Sequence, residues 1–172
     1  MTSEGIVIRL ARHDDVDTIV GFNAAMALET EGRKLDLATL REGTLAFLDN
    51  SGYGFYVVAE LHQHKGHKPV GQLMITYEWS DWRNGIFWWI QSVYVLPDRR
   101  GMGVFRNMYD HIVVKAKTEP RVCGIRLYVD RENVKAQSVY KRVGLNPSMY
   151  TLFEQDFVLG MRISESNNKE LP

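Results

Sequence analysis

An alternating apolar run from Ile86 to Val95 passes through Leu96-Pro97-Asp98-Arg99-Arg100-Gly101-Met102-Gly103 and emerges as a helical stripe. The order strand, Gly-rich turn, helix start leaves a chain few options. Glycines at alternate positions let the backbone turn tightly, and the first amides of a helix have no partner within it. Their N–H groups and the positive end of the helix dipole therefore address one place, which suits a phosphate or diphosphate. The apolar positions Val104, Phe105, Met108, Tyr109, Ile112, Val113 and Ala116 predict a helix over Gly103 to Lys117, with Arg106, Asp110, Lys115 and Lys117 on its other side.

The remaining elements follow from the same periodicities. Ile6 to Leu10 alternates as a strand, and Asp14 or Asp15 can cap a helix carrying Val16, Ile19, Val20, Met26 and Ala27. Asp36 can start a second helix with Leu37, Leu40, Leu45 and Leu48. Tyr53 to Leu61 and Val70 to Tyr77 read as strands around a polar hairpin loop, His62 to Pro69. Asn84-Gly85 makes a second hairpin turn, and Val122 to Val129 forms a strand with Ile125, Leu127 and Val129 opposite Arg126 and Tyr128. Asn133 to Val143 is a short helix ended by Gly144, and Met149 to Phe153 returns as a last strand. The order β-α-α-β-β-β-α-β-α-β predicts one α+β domain over residues 1–163, followed by a polar, disordered tail at 164–172.

Bulk properties narrow the function. With 21 basic and 21 acidic residues the formal net charge is zero, which argues against a nucleic-acid or membrane-surface binder. No apolar run approaches a membrane span, and the N-terminus carries no basic segment followed by an apolar stretch. The single Cys123 cannot form an internal disulfide, so a reducing, cytoplasmic setting is expected, with Cys123 itself read as inert core. His62, His64 and His67 share one loop without Cys or ordered acidic partners, so no metal is expected there.

Two motifs in series carry a family resemblance. Arg100-Gly101-Met102-Gly103-Val104-Phe105 is similar to the Arg/Gln-x-x-Gly-x-Gly/Ala acetyl-CoA motif of the GNAT N-acetyltransferase superfamily, departing only where Phe105 replaces a small residue. Asn133-x-x-Ala136-x-x-x-Tyr140-x-x-x-Gly144-Leu145 resembles that family's second element in full. The resemblance covers roughly residues 5 to 158 and implies the acyl-CoA N-acyltransferase fold: a central mixed, twisted sheet with a splay between two parallel strands and helices on both faces. It also implies acetyl-CoA as cofactor and a small-molecule amine as acceptor, acetylated by direct attack in a ternary complex.

The resemblance assigns roles residue by residue. Backbone amides from Arg100 to Phe105, through Gly101, Met102, Gly103 and Val104, would hold the diphosphate, with the Arg100 side chain adding charge-assisted bonds. Val93, Tyr94 and Val95 would pair with the pantetheine arm along the splayed strand. Asn133 would bond that arm, Ala136 would belong to the same cofactor site, and Tyr140 would lie near the thioester sulfur as its general acid. The bland readings are an ordinary Gly turn, a helix cap for Asn133 and a core aromatic for Tyr140.

The base is the exception. An alkyl amine titrates near ~10.4 and must lose a proton before attack. Related diamine acetyltransferases carry Glu-Asp in this strand, where this chain has Gln91-Ser92. Deprotonation then falls to water relayed by Gln91 or Ser92, with Glu78 and Asp81 as lesser candidates. For the acceptor, the loops that border the site in this superfamily contain Glu29, Glu31, Asp36, Trp79, Asp81 and Trp82. Carboxylates beside indoles suit a cationic amine such as a polyamine or amino acid. A Trp-rich hairpin packing on a homodimer partner fits the same residues. A non-catalytic acyl-CoA-binding module with this fold is the alternative that Gln91-Ser92 and Phe105 keep open.

Overall fold

The alternation around Ile86 becomes the fourth strand of a five-stranded sheet. The computed structural model describes residues 5–63 and 66–158. Its elements are β1 (Ile6–Leu10), α1 (Val16–Glu31), α2 (Leu37–Asp49), β2 (Gly54–Gln63), β3 (Gly66–Ser80), β4 (Gly85–Val95), α3 (Val104–Thr118), β5 (Val122–Arg126) and α4 (Val134–Arg142). The strands lie in chain order; the first three pairings are antiparallel and β4–β5 is parallel. A parallel neighbour requires a crossover, and α3 supplies it.

Period-two alternation sorts the two faces. Val57, Ala59, Leu73, Ile75, Trp88 and Ile90 face α3, whose Val104, Met108, Ile112 and Ala116 close the core. Each fully buried aliphatic chain such as Ile112 or Met108 stabilises the fold by about 1.5–3 kcal/mol. On the opposite face lie Tyr56, Gln72 and Tyr94, covered by α1. There Gln72 Nε2 donates to Asn23 Oδ1 (2.7 Å), and Asn23 Nδ2 donates to the Tyr56 hydroxyl (3.2 Å).

Two irregularities of β4 shape the site. Gln72 pairs with Tyr94 and Met74 with Gln91, so Ser92 and Val93 together oppose Leu73. Ser92 takes a left-handed conformation (φ 49°), and its carbonyl accepts from Gln72 Nε2 at 3.4 Å. A non-glycine residue there stores roughly 1–3 kcal/mol of strain. The bulge resets the alternation so that Tyr94 shares a face with Gln91. The second irregularity is the end of the parallel pairing. β5 matches β4 only from Ile86 to Trp89, whose partner is Arg126, while β4 runs on to Val95. That is the splay between parallel strands, and it leaves the Ile90–Val95 edge open.

Several expectations change. Met149 to Phe153 is irregular and exposed rather than a strand: β5 stops at Arg126, and the tail's bonds are local, such as Tyr150 N to Ser148 Oγ. Alternation without a ladder partner gives no strand. β5 ends three residues before the expected Val129, for the same lack of a neighbour beyond Trp89. The His62–Pro69 loop is mostly strand, since β2 runs to Gln63 and β3 begins at Gly66; His64 and the polar tail at 164–172 lie outside the described residues. Asp15 makes no side-chain cap for α1 but accepts from Arg9 and from the Arg12 amide. By contrast Asp36 caps α2 through Thr39 N (2.8 Å), and Gly144 adopts the left-handed conformation expected after α4 (φ 93°).

Candidate active site

The chain leaves β4 through a short turn at Pro97–Arg99 and enters α3 through two left-handed glycines, Gly101 (φ 78°) and Gly103 (φ 81°). Other residues would be strained at both. The first helical bond runs from Asn107 N to Gly103 O at 2.9 Å. Among the described residues the amides of Gly101, Met102 and Gly103 donate to no protein acceptor. Those of Val104, Phe105 and Arg106 precede the first helical bond. All three turn residues are exposed, and a Cβ on Gly101 would meet nothing within 4 Å. Donors without acceptors, on open surface at the positive end of a 15-residue helix, fit the diphosphate of coenzyme A.

Arg100 is placed differently from expectation. Its Nε donates to the Val95 carbonyl (2.9 Å) and its guanidinium to Glu29 Oε2 (2.6 Å), while the group lies over the Tyr94 ring at 5.5 Å. Tyr94 is buried, packs on Phe22, and donates its hydroxyl to Glu29 Oε1 (3.0 Å). Arg100 holds the Glu29 carboxyl below the usual carboxylate range. Burial, aided by Glu29, pushes the Tyr94 hydroxyl up. Glu29, expected on the acceptor side, is thus tied to the arginine of the donor side.

Phe105 turns inward, as the α3 stripe requires. Its ring stacks on Tyr109 (6.1 Å between centroids) and meets Tyr140 of α4 edge-on at 5.4 Å, so the Gly-rich turn stays clear. Tyr140 is half-buried, and burial raises its hydroxyl above the ordinary phenol range. Asn133 caps α4, its Oδ1 accepting from Ala136 N at 3.0 Å; the side chain is exposed and Ala136 half-buried. Val93 and Val95 pack against the α3-side core and leave their backbone at the strand edge.

The floor beside the splay is built of side chains. Gln91 Nε2 donates to Thr76 Oγ1 (2.5 Å), and Gln91 Oε1 accepts from the Tyr128 hydroxyl (3.3 Å). Glu78 accepts from Arg126 (2.7 Å) through one oxygen and from Trp89 Nε1 through the other. The Arg126 guanidinium lies 3.6 Å from the centroid of the Phe87 ring. Burial raises the Tyr128 hydroxyl, with Glu154 and Glu31 adding to it.

The expected acceptor residues do not all meet. Glu78 and Gln91 share this floor, and Glu31 is near Tyr128. Trp79 alternates with Glu78 and so projects from the opposite, α3-side face, along with Tyr77, whose ring neighbours Trp88. Trp82 and Asp81 sit at the β3–β4 hairpin tip. Gly85 is six residues from Gln91, about 20 Å at ~3.3 Å per residue. Trp79 therefore does not line the floor, and the hairpin tip that carries Trp82 stands at its Phe87 end, where Arg83 lies 5.1 Å from that ring, away from Gln91. Arg126, Trp89, Tyr128 and Thr76 join the site without having been singled out for it. The one signal was that Arg126 and Tyr128 face away from Ile125 and Leu127.

Comparisons with known proteins agree with this geometry. The family model for the acetyltransferase (GNAT) family matches residues 22–145, and the chain belongs to that family. A crystal structure described as a possible acetyltransferase from Clostridium difficile 630 is 41% identical, with a TM-score of 0.81 over 89% of this chain and 98% of that one. A Clostridium acetobutylicum structure, described as a predicted acetyltransferase with acetyl-CoA, is 20% identical (TM-score 0.70; 88% and 96% covered). The aminoglycoside N-acetyltransferase AAC(6')-Iy in complex with CoA is 12% identical (TM-score 0.69; 90% and 97% covered). These last two show the fold alone. No curated protein matches. Members of the family use acetyl-CoA, and acyl transfer from it is the general chemistry of the fold. No helix among the described residues is long and apolar enough to cross a membrane.

Proposed function

We propose that this chain is an N-acetyltransferase that moves the acetyl group of acetyl-CoA to the primary amine of a small molecule by direct attack in a ternary complex. The observation that carries this reading is the continuity of β4. Its unpaired edge from Ile90 to Val95 leads directly into a turn of unpartnered amides, and Gln91 of the same strand stands on a polar floor. Bound acetyl-CoA supplies an activated acetyl group and a good leaving group.

The amides of Gly101 to Phe105 hold the diphosphate, and the Val93 to Val95 backbone aligns the arm. Val95 O already accepts from Arg100, so Val93 offers the freer carbonyl. Both Glu78 oxygens are engaged, and Asp81 lies at the far hairpin tip. Water on Gln91 therefore takes the ammonium proton. The amine nitrogen would then bond the acetyl carbon as the carbon–sulfur bond breaks, a proton passing to the departing sulfur while the new amide nitrogen returns its second proton, through water, to the group that gave it. Tyr140 is suited to donate the sulfur's proton, because burial favours its protonated form. The bond from Gln72 Nε2 to the Ser92 carbonyl helps to hold the strained bulge, and hence Gln91 and Tyr94, on one face.

Thiol release from acetyl-CoA across a panel of primary amines tests the reading: at least one should be turned over above background hydrolysis. The engagement of both Glu78 oxygens favours one other reading, a non-catalytic acyl-CoA sensor. That protein would gain thermal stability from acetyl-CoA and release no thiol with any amine. A cytosolic homodimer completes the proposal. Its supports are the lone free Cys123 and an exposed apolar segment in which Met149 is 100%, Phe153 91% and Phe157 86% accessible. Phe153→Asp with Phe157→Asp should halve the mass seen by light scattering; an unchanged mass removes the dimer.

A further inference from the structure

Resting on the N-acetyltransferase reading, we propose that the acceptor is a zwitterion of the amino-acid type, its carboxylate held by Arg126 and its amine directed to the Gln91–Tyr128 end of the floor. The charges decide this against a polycation. Three of the carboxylates available to a cationic guest are already paired: Glu29 with Arg100 (2.6 Å), Glu78 with Arg126 (2.7 Å) and Glu31 with Arg33 (3.8 Å). Glu154, which acts on the Tyr128 hydroxyl, is left to meet one ammonium, whereas a second or third would compete with ion pairs already formed.

Arg126 has donors to spare. Glu78 uses one of its five N–H groups, and among the described residues the others meet no protein acceptor. Its plane is fixed by the Phe87 ring at 3.6 Å, and the side chain remains 31% accessible. Arg83 lies over the same ring at 5.1 Å, which brings a second guanidinium to this corner. A planar fork with spare donors and a local positive excess is built for a carboxylate. Arg126 is also the last β5 partner of β4, at Trp89, so it sits where the two strands part. Gln91 lies two residues along, on the same face, about 7 Å at ~3.3 Å per residue. The amine end is the acidic end, since Glu31 and Glu154 both act on the Tyr128 hydroxyl.

The test pairs each common L-amino acid with its own carboxamide and adds putrescine and spermidine. Two readouts are taken: thiol release with acetyl-CoA, and thermal shift of the protein saturated with CoA, which needs no turnover. At least one amino acid should outperform its carboxamide on the order of 10–100-fold in kcat/KM and stabilise the CoA complex where the carboxamide does not. Arg126→Met should remove that preference, and Arg126→Lys should restore part of it. CoA-induced stabilisation of each variant reports that it has folded. Equal use or equal binding of acids and carboxamides, or preference for the diamines, overturns the proposal. If no amine releases thiol, the transferase reading fails, and the thermal-shift comparison of acid with carboxamide still decides the carboxylate site.

Discussion

Along β4 two surfaces of different construction meet. From Val93 to Phe105 the donor side is main chain: a strand edge, two left-handed glycines and the first amides of α3. From Phe87 to Gln91 the acceptor floor is side chain: Glu78, Arg126, Trp89, Thr76, Gln91 and Tyr128, joined by hydrogen bonds and ring contacts. On the proposed reading the first would hold a ligand part that does not vary, so it would depend on backbone shape and tolerate Phe105 where a small residue is usual. The second depends on the identity of each group, and a single exchange changes what it admits.

The sharpest break between them comes from the glycines. Gly101→Val with Gly103→Val forces two branched residues into left-handed backbone, at roughly 1–2 kcal/mol each. Acetyl-CoA affinity should fall on the order of 100-fold by calorimetry, and the melting temperature should fall by roughly 2–4 °C for each kcal/mol of that strain. Phe105→Leu, which keeps every amide, should shift the same affinity by less than about threefold. A large loss there would mean that the donor side depends on side chains after all.

Next in size is Tyr140→Phe. Turnover should drop on the order of 10–100-fold while acetyl-CoA affinity holds within about twofold. Burial raises the Tyr140 hydroxyl, so the wild-type rate should stay up through the ordinary phenol range and decline only above it. The variant should lack that alkaline limb. Loss of affinity in place of turnover would make Tyr140 a packing partner of Phe105 and no more.

The smallest effect concerns the ion pair of Glu29 with Arg100 beside the donor surface. Glu29→Gln frees the guanidinium and should tighten acetyl-CoA binding a few-fold in equilibrium titration. Because Arg100 lowers the Glu29 carboxyl, the pair's contribution to stability is present above the ordinary carboxylate range and lost as pH falls through the lowered value. The variant should therefore show less loss of melting temperature on acidification than the wild type. The pair is exposed, so the difference is small. Weaker binding in the variant would mean that Glu29 positions Arg100 for the ligand instead of withholding it.

What the sequence could reveal follows the same division. Main-chain features are local: the spacing of Gly101 and Gly103, the stripe of α3, Asp36 as a cap and Gly144 as a stop all lie within a turn or two of their consequences. The floor is not local. Glu78 and Arg126 are separated by 48 positions and meet only because α3 returns the chain parallel to β4. Trp79 was grouped with Glu78 by nearness in the chain, yet adjacent strand residues point to opposite faces, and it is the alternate residues that share one. The Ser92 bulge then shifts that parity again, which no count of apolar residues reveals. Met149 to Phe153 carried a strand pattern, but a strand is a property of two partners and the pattern describes one.

Backbone amide chemical shifts, followed during titration with coenzyme A, test the central claim most directly. The account predicts that the amides of Gly101 to Phe105, with Val93 and Val95, move first and farthest. If they stay in place while resonances elsewhere shift, the diphosphate does not rest on the start of α3, and the donor site has to be sought on another part of the molecule.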